Sequence, residues 1–313
     1  MKMRIGLDFM GGDFAPIEPL KGAIEAQEAF GTHFQVVLFG DEAIGRVAMK
    51  ELGGNPEDFE WVHCTEVITF NDHPTKAVSQ KPDSSIVKGF GFLKARQTHA
   101  FISAGNTGAM MVGAIYSIKP IEGVIRPCIT TVIPKVSGKF GIMLDVGANA
   151  DCRPDVLYQF GLLGSLFCQN VYQIENPKVG LLNIGEEKEK GNLVTKEAYQ
   201  LMEDNQRYYF IGNIEGRDLF LDKADVAVCD GFTGNIVLKA CESIFTILKK
   251  QSVNNEYLNR FNYEDYGGTP VLGVNAPVII GHGISSAKAF RNMFKLAENM
   301  VANNLVEKIR SSL

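Results

Sequence analysis

Among six cysteines, no two stand in a C-x-x-C pair. Zinc and thiol redox motifs need that spacing. Several cysteines sit in apolar strand-like runs such as "DVAVCD", so all six read as buried reduced thiols of a cytoplasmic protein. No run of Lys or Arg appears and the net charge is −5, which argues against nucleic acid as a partner. No window approaches the roughly 18 apolar residues of a membrane span. The start, "MKMRIGLDFMGGD", is too short and too interrupted by Asp8 and Asp13 to be a signal peptide, so a cytoplasmic location is expected. Also missing are G-x-x-x-x-G-K-[ST] and a G-x-G-x-x-G that opens a helix, which weighs against a P-loop nucleotidase and a Rossmann dehydrogenase. G-x-S-x-G is missing too, so no serine nucleophile is marked. Nothing in the sequence calls for a metal or another cofactor.

What is present is an ordinary globular composition, 45% hydrophobic and 21% charged, with ample material for a core. One pattern recurs: a short apolar run, a loop with Gly, Asn or Asp, then a segment of helical periodicity. "RIGLD", "QVVLF", "HAFIS", "FGIMLD", "KVGLLN", "YYFI", "ADVAVCD" and "APVIIG" each begin such a unit. Near-continuous apolar strands suit a sheet covered on both faces. The pattern predicts an α/β fold with an open, mostly parallel, three-layer αβα sheet, in one catalytic domain over residues 1–313. A barrel ranks second, because "RPCITTVIPK" and "KFGIMLD" follow each other as a hairpin-type pair with no helix between. Residues 240–267 are polar and poorly periodic and read as a helical excursion. Residues 284–313 read as a long helix or a helix pair.

The loops carry the chemistry. Asp230-Gly231-Phe232-Thr233-Gly234-Asn235 puts glycines, a hydroxyl and an amide at a strand-to-helix turn, where free N–H groups and the helix dipole favour an anion. The plain alternative is a tight turn with Thr233 as helix cap. Gly105-Asn106-Thr107-Gly108 and Gly11-Gly12-Asp13 repeat the chemistry on other strands. Several such turns, without nucleotide motifs, point to a small anion such as phosphate. Lys190-Gly191-Asn192 can add a cation and amides. Lys239, one turn beyond Asn235, reads first as a solvent-facing lysine. Asp145 and Asn149 follow another strand, with loop-holding the plain reading for the acid. His282 is the one histidine at a strand end in a glycine context. Cys229, within a strand, reads as inert.

Taken together, "LDFMGGD", "SAGNTGAMM", "IRPCITTVIP", "LDVGANAD", "GLLNIGEEKEKGN", "DVAVCDGFTGNIVLKACES" and "YGGTPVLGVNAPVIIGHG" resemble the bacterial acyl-carrier-protein:phosphate acyltransferases of phospholipid synthesis (the PlsX family), over nearly the whole chain. The resemblance implies transfer of a long-chain fatty acyl group from acyl carrier protein to inorganic phosphate. It implies a homodimer with a fold similar to phosphotransacetylase and isocitrate dehydrogenase-like proteins. A membrane acyltransferase acting on glycerol 3-phosphate would consume the product. Lys190 and Asn235 match the family's reactive-site lysine and asparagine. Asp8, Asp13, Gly105–Gly108 and Asn149 would shape the phosphate pocket. Gly12, Asp145, Asn192, Asp230, Thr233, Gly234, Lys239 and His282 complete the expected substrate-binding set. The segment between the "GFTGN" helix and "YGG" is shorter and more polar than the family's, with Ile244, Phe245, Ile247 and Leu248 as an apolar patch that bears on peripheral membrane contact. A phosphotransacylase that uses acyl-CoA is the nearest alternative. A decarboxylating dehydrogenase and a non-catalytic scaffold are more distant ones.

Overall fold

Strand segments rich in Val, Ile, Leu and Phe alternate with amphipathic helices, and short Gly-, Asn- and Asp-containing turns separate them. The computed structural model describes residues 2–313. In chain order it runs through β1 (Met3–Asp8), α1 (Ile17–Phe30), β2 (Phe34–Gly40), α2 (Glu42–Glu51), β3 (Glu60–His63), α3 (Pro74–Gln80), α4 (Ser85–Lys94), β4 (Ala100–Ser103) and α5 (Thr107–Val112). Then come β5 (Cys128–Pro134), β6 (Phe140–Leu144), α6 (Pro154–Val171), β7 (Lys178–Leu182), α7 (Leu193–Glu203), β8 (Tyr209–Ile214), β9 (Val226–Val228), α8 (Gly231–Lys250) and α9 (Glu256–Asn259). The last elements are β10 (Thr269–Leu272), β11 (Val278–Ile280), α10 (Ala287–Ala302) and α11 (Leu305–Ser312).

The chain packs as two units. Unit 1 runs to Pro120 and resumes over Tyr263–Val306; unit 2 is Ile121–Asn262 with Glu307–Leu313. In unit 1 the strand order is β3-β2-β1-β4-β11-β10. All its neighbours are parallel except β10 with β11. The register sets Ile5 beside Val36 and Ala100, and Gly6 beside Val37 and Phe101. Alternation therefore divides the side chains between two faces. On one face Phe34 stacks on Phe294 of α10. On the other, Phe101 packs edge-on against Phe39 and against Phe90 of α4. Unit 1 is thus covered by helices on both faces, as near-continuous apolar strands require.

Unit 2 has the order β5-β6-β9-β7-β8. Its pairs are parallel except the antiparallel β5 and β6, the hairpin-type pair legible in the sequence. Helix α6 lies on one face, with Gly164 close against Val226 and Leu144. The α/β class and mainly parallel pairing agree with the sequence. One strand end differs. Gly212 and Asn213 were expected just past a strand, but they lie inside β8, at a shift of register against β7. Gly212 (φ 95°) makes that irregularity possible. Between 240 and 267, α8 continues to Lys250 and the short α9 follows. The end of the chain is a helix pair, α10 and α11. No helix of the described residues is long and apolar enough to cross a membrane.

Helices α1 and α10 approach closely because Gly22 has no side chain. A Cβ there would stand 2.4 Å from Phe290 Cβ and 2.7 Å from the Ala287 carbonyl. Gly91 of α4 has nothing within 4 Å of the same position. Gly22→Ala should cost about 1–3 kcal/mol through overpacking, whereas Gly91→Ala should gain about 0.5–1 kcal/mol from helix entropy. Urea midpoints of the two variants check this. Equal shifts of one sign would contradict the packing described.

Candidate active site

In unit 2 the site begins with a buried acid. β6 ends at Leu144, and Asp145 follows with no exposed surface. One of its oxygens accepts N–H bonds from Ile129 (3.1 Å) and Ala148 (3.2 Å). The other accepts from the backbone (2.6 Å) and side-chain amide (2.9 Å) of Asn149. Burial holds the carboxyl pKa above its ordinary value, and these hydrogen bonds offset only part of that rise. The loop-holding reading of Asp145 is thereby met by geometry.

Helix α8 docks directly on that loop. Gly231 N–H donates to the Asn149 carbonyl at 2.7 Å. A Cβ at Gly234 would lie 2.0 Å from the Asp145 carbonyl oxygen, and one at Gly231 2.6 Å from that of Asn149. Glycine is required at both places by close approach. The cap of α8 is Asp230, whose carboxylate accepts from Thr233 N–H at 2.7 Å. Thr233 is therefore the capped residue and not the cap, because Asp230 is the last non-helical residue before the turn. The Asn235 side chain lies alongside Gly147, whose φ of 133° turns the loop back.

A second helix opens at the same pocket. Asn192 caps α7 by accepting from Thr195 N–H at 2.9 Å. The preceding loop is tied down by two amides, Asn183 just past β7 and Asn213 within β8. Asn183 donates to the Lys190 carbonyl (3.2 Å) and to Asn213 (3.1 Å), and Asn213 donates to the Glu187 carbonyl (2.9 Å). Gly191, at φ 97°, lets the backbone pass Asn183 and Thr195. A pocket of about 660 Å³ lies here, with Asn183, Gly191, Asn192, Asp230, Phe232 and Thr233 in its wall. The first-turn N–H groups of α7 and α8 that the caps do not use suit an anion. Among the described residues no carboxylate pairs with Lys190, while Lys188 pairs with Glu203 and Lys239 with Glu242. Lys239 thus follows its solvent-facing reading.

Unit 1 builds a cluster of its own. Asp8 is fully buried and accepts from the Ser103 hydroxyl (2.7 Å) and Met10 N–H (3.0 Å). Its pKa is raised by burial against these bonds. Ser103 in turn accepts from Gly105 N–H at 2.9 Å. Asn106 caps α5 through Ala109 N–H (3.0 Å) and donates to the carbonyls of Thr69 and Asp72. Thr107 and Gly108 form the first turn of α5, with Gly108 against Pro74. Gly12 takes φ 111°, and Asp13 N–H donates to the Gly283 carbonyl at 2.7 Å. The His282 ring rests on Tyr263, 4.9 Å between centroids.

A family model described as "Fatty acid synthesis protein" matches residues 3–308. A phosphate acyltransferase of Dictyoglomus turgidum is 42% identical, over 99% of this chain and 98% of its own. Another, of Pelotomaculum thermopropionicum, is 43% identical over 99% and 95%. The chain belongs to the phosphate acyltransferase (PlsX) family. The family consists of acyltransferase enzymes. Solved structures with a similar fold include a phosphotransacetylase from Streptococcus pyogenes, with TM-score 0.71 and 17% identity over 96% of this chain and 94% of that one. A Staphylococcus aureus phosphotransacetylase gives TM-score 0.65 and 14% identity over the same shares.

The thiols of the site are poor nucleophiles. Burial pushes Cys229 far above its ordinary pKa, and Cys229 donates its S–H to the Asp145 carbonyl at 3.5 Å. Cys152, in the pocket wall, is pushed up to about 12, first by burial and then by Asp145 and Asp230. An acidic trio, Glu186, Glu215 and Asp218, sits elsewhere in unit 2. It is engaged by Lys223 and Arg217. Sequence reading missed Asn183, Asn213 and Ser103 as supports of these loops. The strand-final asparagine of "LLN" and the "GN" of "FIGN" were the available signals.

Cys229→Ala should fold and keep turnover within about threefold of wild type, because a thiol held protonated has no nucleophilic role. Steady-state kinetics on the folded variant checks this, and complete loss would point to a covalent intermediate. Gly234→Ala should lower stability by about 1–3 kcal/mol and reduce turnover as well, since α8 cannot seat on the Asp145 loop. Unchanged turnover would separate that contact from activity.

Proposed function

We propose that this enzyme transfers a long-chain fatty acyl group from the thioester of acyl carrier protein to inorganic phosphate, giving acyl phosphate for phospholipid synthesis. The observation that carries the reading is a pocket where two helix N-termini open, with Gly191, Asn192, Asp230 and Thr233 in its wall and the exposed Lys190 preceding Gly191 in the chain. That is a site for holding an anion.

Phosphate itself is the nucleophile. A phosphate oxygen attacks the thioester carbonyl, a C–O bond forms, the tetrahedral oxyanion collapses, and the C–S bond breaks to release the thiolate. The protein has to align phosphate and thioester and stabilise the oxyanion. Lys190 supplies positive charge to phosphate or oxyanion, and Asn235 a hydrogen bond to the reacting centre. Asn192, Asp230, Thr233 and Gly234 shape the pocket, with Asp145 and Asn149 behind them as positioning residues. In unit 1, Asp8, Gly12, Asp13, Gly105–Gly108 and His282 are assigned to substrate binding. Inert thiols support direct transfer. Phosphate, acyl carrier protein and a second copy of the chain are the proposed partners, in the cytoplasm, with a membrane glycerol-3-phosphate acyltransferase taking the product. Lys239, engaged by Glu242, has the weakest place in the set.

The test uses purified enzyme with palmitoyl thioesters of acyl carrier protein and of CoA. Free thiol release should require phosphate, and hydroxylamine should trap the product as hydroxamate. A higher kcat/KM for the CoA thioester would favour the acyl-CoA reading. Lys190→Ala should cut turnover about 10²–10³-fold, the scale of losing one oxyanion-stabilising group, with an unchanged melting temperature. Near-normal turnover would remove Lys190 from this role.

A further inference from the structure

The loop between β7 and α7 carries Lys190, and one buried amide holds it from beneath. Asn213 of β8 is only 3% exposed, and both ends of its side chain are engaged. Its Nδ2 donates to the Glu187 carbonyl at 2.9 Å, and its Oδ1 accepts from Asn183 Nδ2 at 3.1 Å. Asn183 Nδ2 also donates to the Lys190 carbonyl at 3.2 Å, while Asn183 Oδ1 accepts from Ile184 N–H at 2.9 Å. Lys190 N–H closes the turn on the Glu187 carbonyl at 3.1 Å. The N–H and C=O groups of Lys190 are thus both tied back to Asn213, one through Glu187 and the other through Asn183.

The Lys190 side chain has a seat of its own. Its stem lies over Gly185, which is buried on the same loop. A Cβ at Gly185 would stand 2.9 Å from Lys190 Cγ and 3.3 Å from Lys190 Cδ, with Glu187 Oε2 also at 2.9 Å. The Gly185 backbone is outside the left-handed region, so contact and not conformation calls for glycine there. Other ties on the loop are of a different kind. Lys188 pairs with Glu203, and Glu186 with Lys223 at 2.7 Å, all partly or fully in solvent. Such pairs hold weakly. The buried amides are the firmer support.

We infer that Asn213 and Asn183 are positioning residues that act through Lys190, and that Gly185 is free of a side chain in order to seat the lysine stem. This rests on the role proposed above for Lys190. A lysine ammonium rides on a flexible four-carbon stem, and a charge stabilises an anion or oxyanion best when it is placed beforehand. With the backbone tied and the stem seated, only the outermost bonds remain to be ordered when the anion arrives. A misplacement of about 1 Å can cost about 10²-fold in rate. Gly191 and Asn192, next in the chain, stand in the pocket wall, so the same ties set where the loop enters the pocket.

The experiment measures kcat/KM for phosphate, with a palmitoyl thioester as donor. The variants are Asn213→Ala, Asn183→Ala and Gly185→Ala, each with Lys190 present and each in the Lys190→Ala background. With Lys190 present, each should lose about tenfold or more. In the Lys190→Ala background each should lose less than about twofold, since the group they place is gone. Lys188→Ala, the control, should stay within about twofold of its parent in both backgrounds. Losses of equal size in both backgrounds overturn the inference, because the residues would then act on the enzyme as a whole. So does a loss under about twofold with Lys190 present. If Asn213→Ala does not fold, Gly185→Ala carries the same test, because it removes no hydrogen bond. Near-normal turnover of Lys190→Ala removes the lysine's role and the positioning together, whereas a large loss in Lys190→Ala with equal effects in both backgrounds removes the positioning alone. Amide hydrogen exchange needs no turnover. In the folded amide variants the Lys190 N–H should exchange about tenfold faster or more, while β7 stays protected. Unchanged exchange overturns the tie even where transfer to phosphate is demonstrated. Faster exchange without any such transfer leaves the tie and removes the proposed reaction.

Discussion

The interaction on which the site depends is the buried carboxylate of Asp145 and its four N–H donors. An unpaired charge with no exposed surface would be prohibitive. Here each oxygen accepts two hydrogen bonds, and those bonds fix the backbone of residues 145–149. That backbone is the floor on which α8 rests, through Gly231 and Gly234. Asn235 and the first turn of α8 can be placed only as accurately as this loop is held. A preorganised site needs such rigid support behind the groups that touch substrate.

Unit 1 applies the same logic with different residues. Asp8 is buried at the end of β1, satisfied by a hydroxyl and a backbone N–H, and its partner Ser103 holds the following glycine turn. In both units an aspartate at or just past a strand end is buried and hydrogen-bonded to the loop that follows. It organises that loop, whose N–H groups turn in toward the carboxylate. Burial raises both carboxyl pKa values while hydrogen bonds oppose the shift.

Much of the fold was legible. Near-continuous apolar strands, each ending in a Gly, Asn or Asp loop, imply covered parallel strands, and the "TTVIPK" and "FGIMLD" pair implied the antiparallel exception. β8 was misjudged at Gly212 and Asn213, because a register irregularity inside a strand looks in sequence like a strand end. The plain alternative for the 230–235 loop named Thr233 as the helix cap, whereas the cap is Asp230, because only the helix boundary separates the two residues. Asn183 and Asn213 escaped notice since their partners, Lys190 and Glu187, are chosen by the path of a loop that no local pattern describes.

By itself the sequence determined the class of fold, the strand-end location of its polar loops and, through motif resemblance, the family. These follow from local periodicity and from residue types that permit few backbone conformations. Tertiary structure decided which donors saturate Asp145, how closely α8 docks on the loop behind it, and which carboxylates Lys188 and Lys239 meet. Those depend on contacts between residues far apart in the chain, and the spacing along one segment carries no record of them.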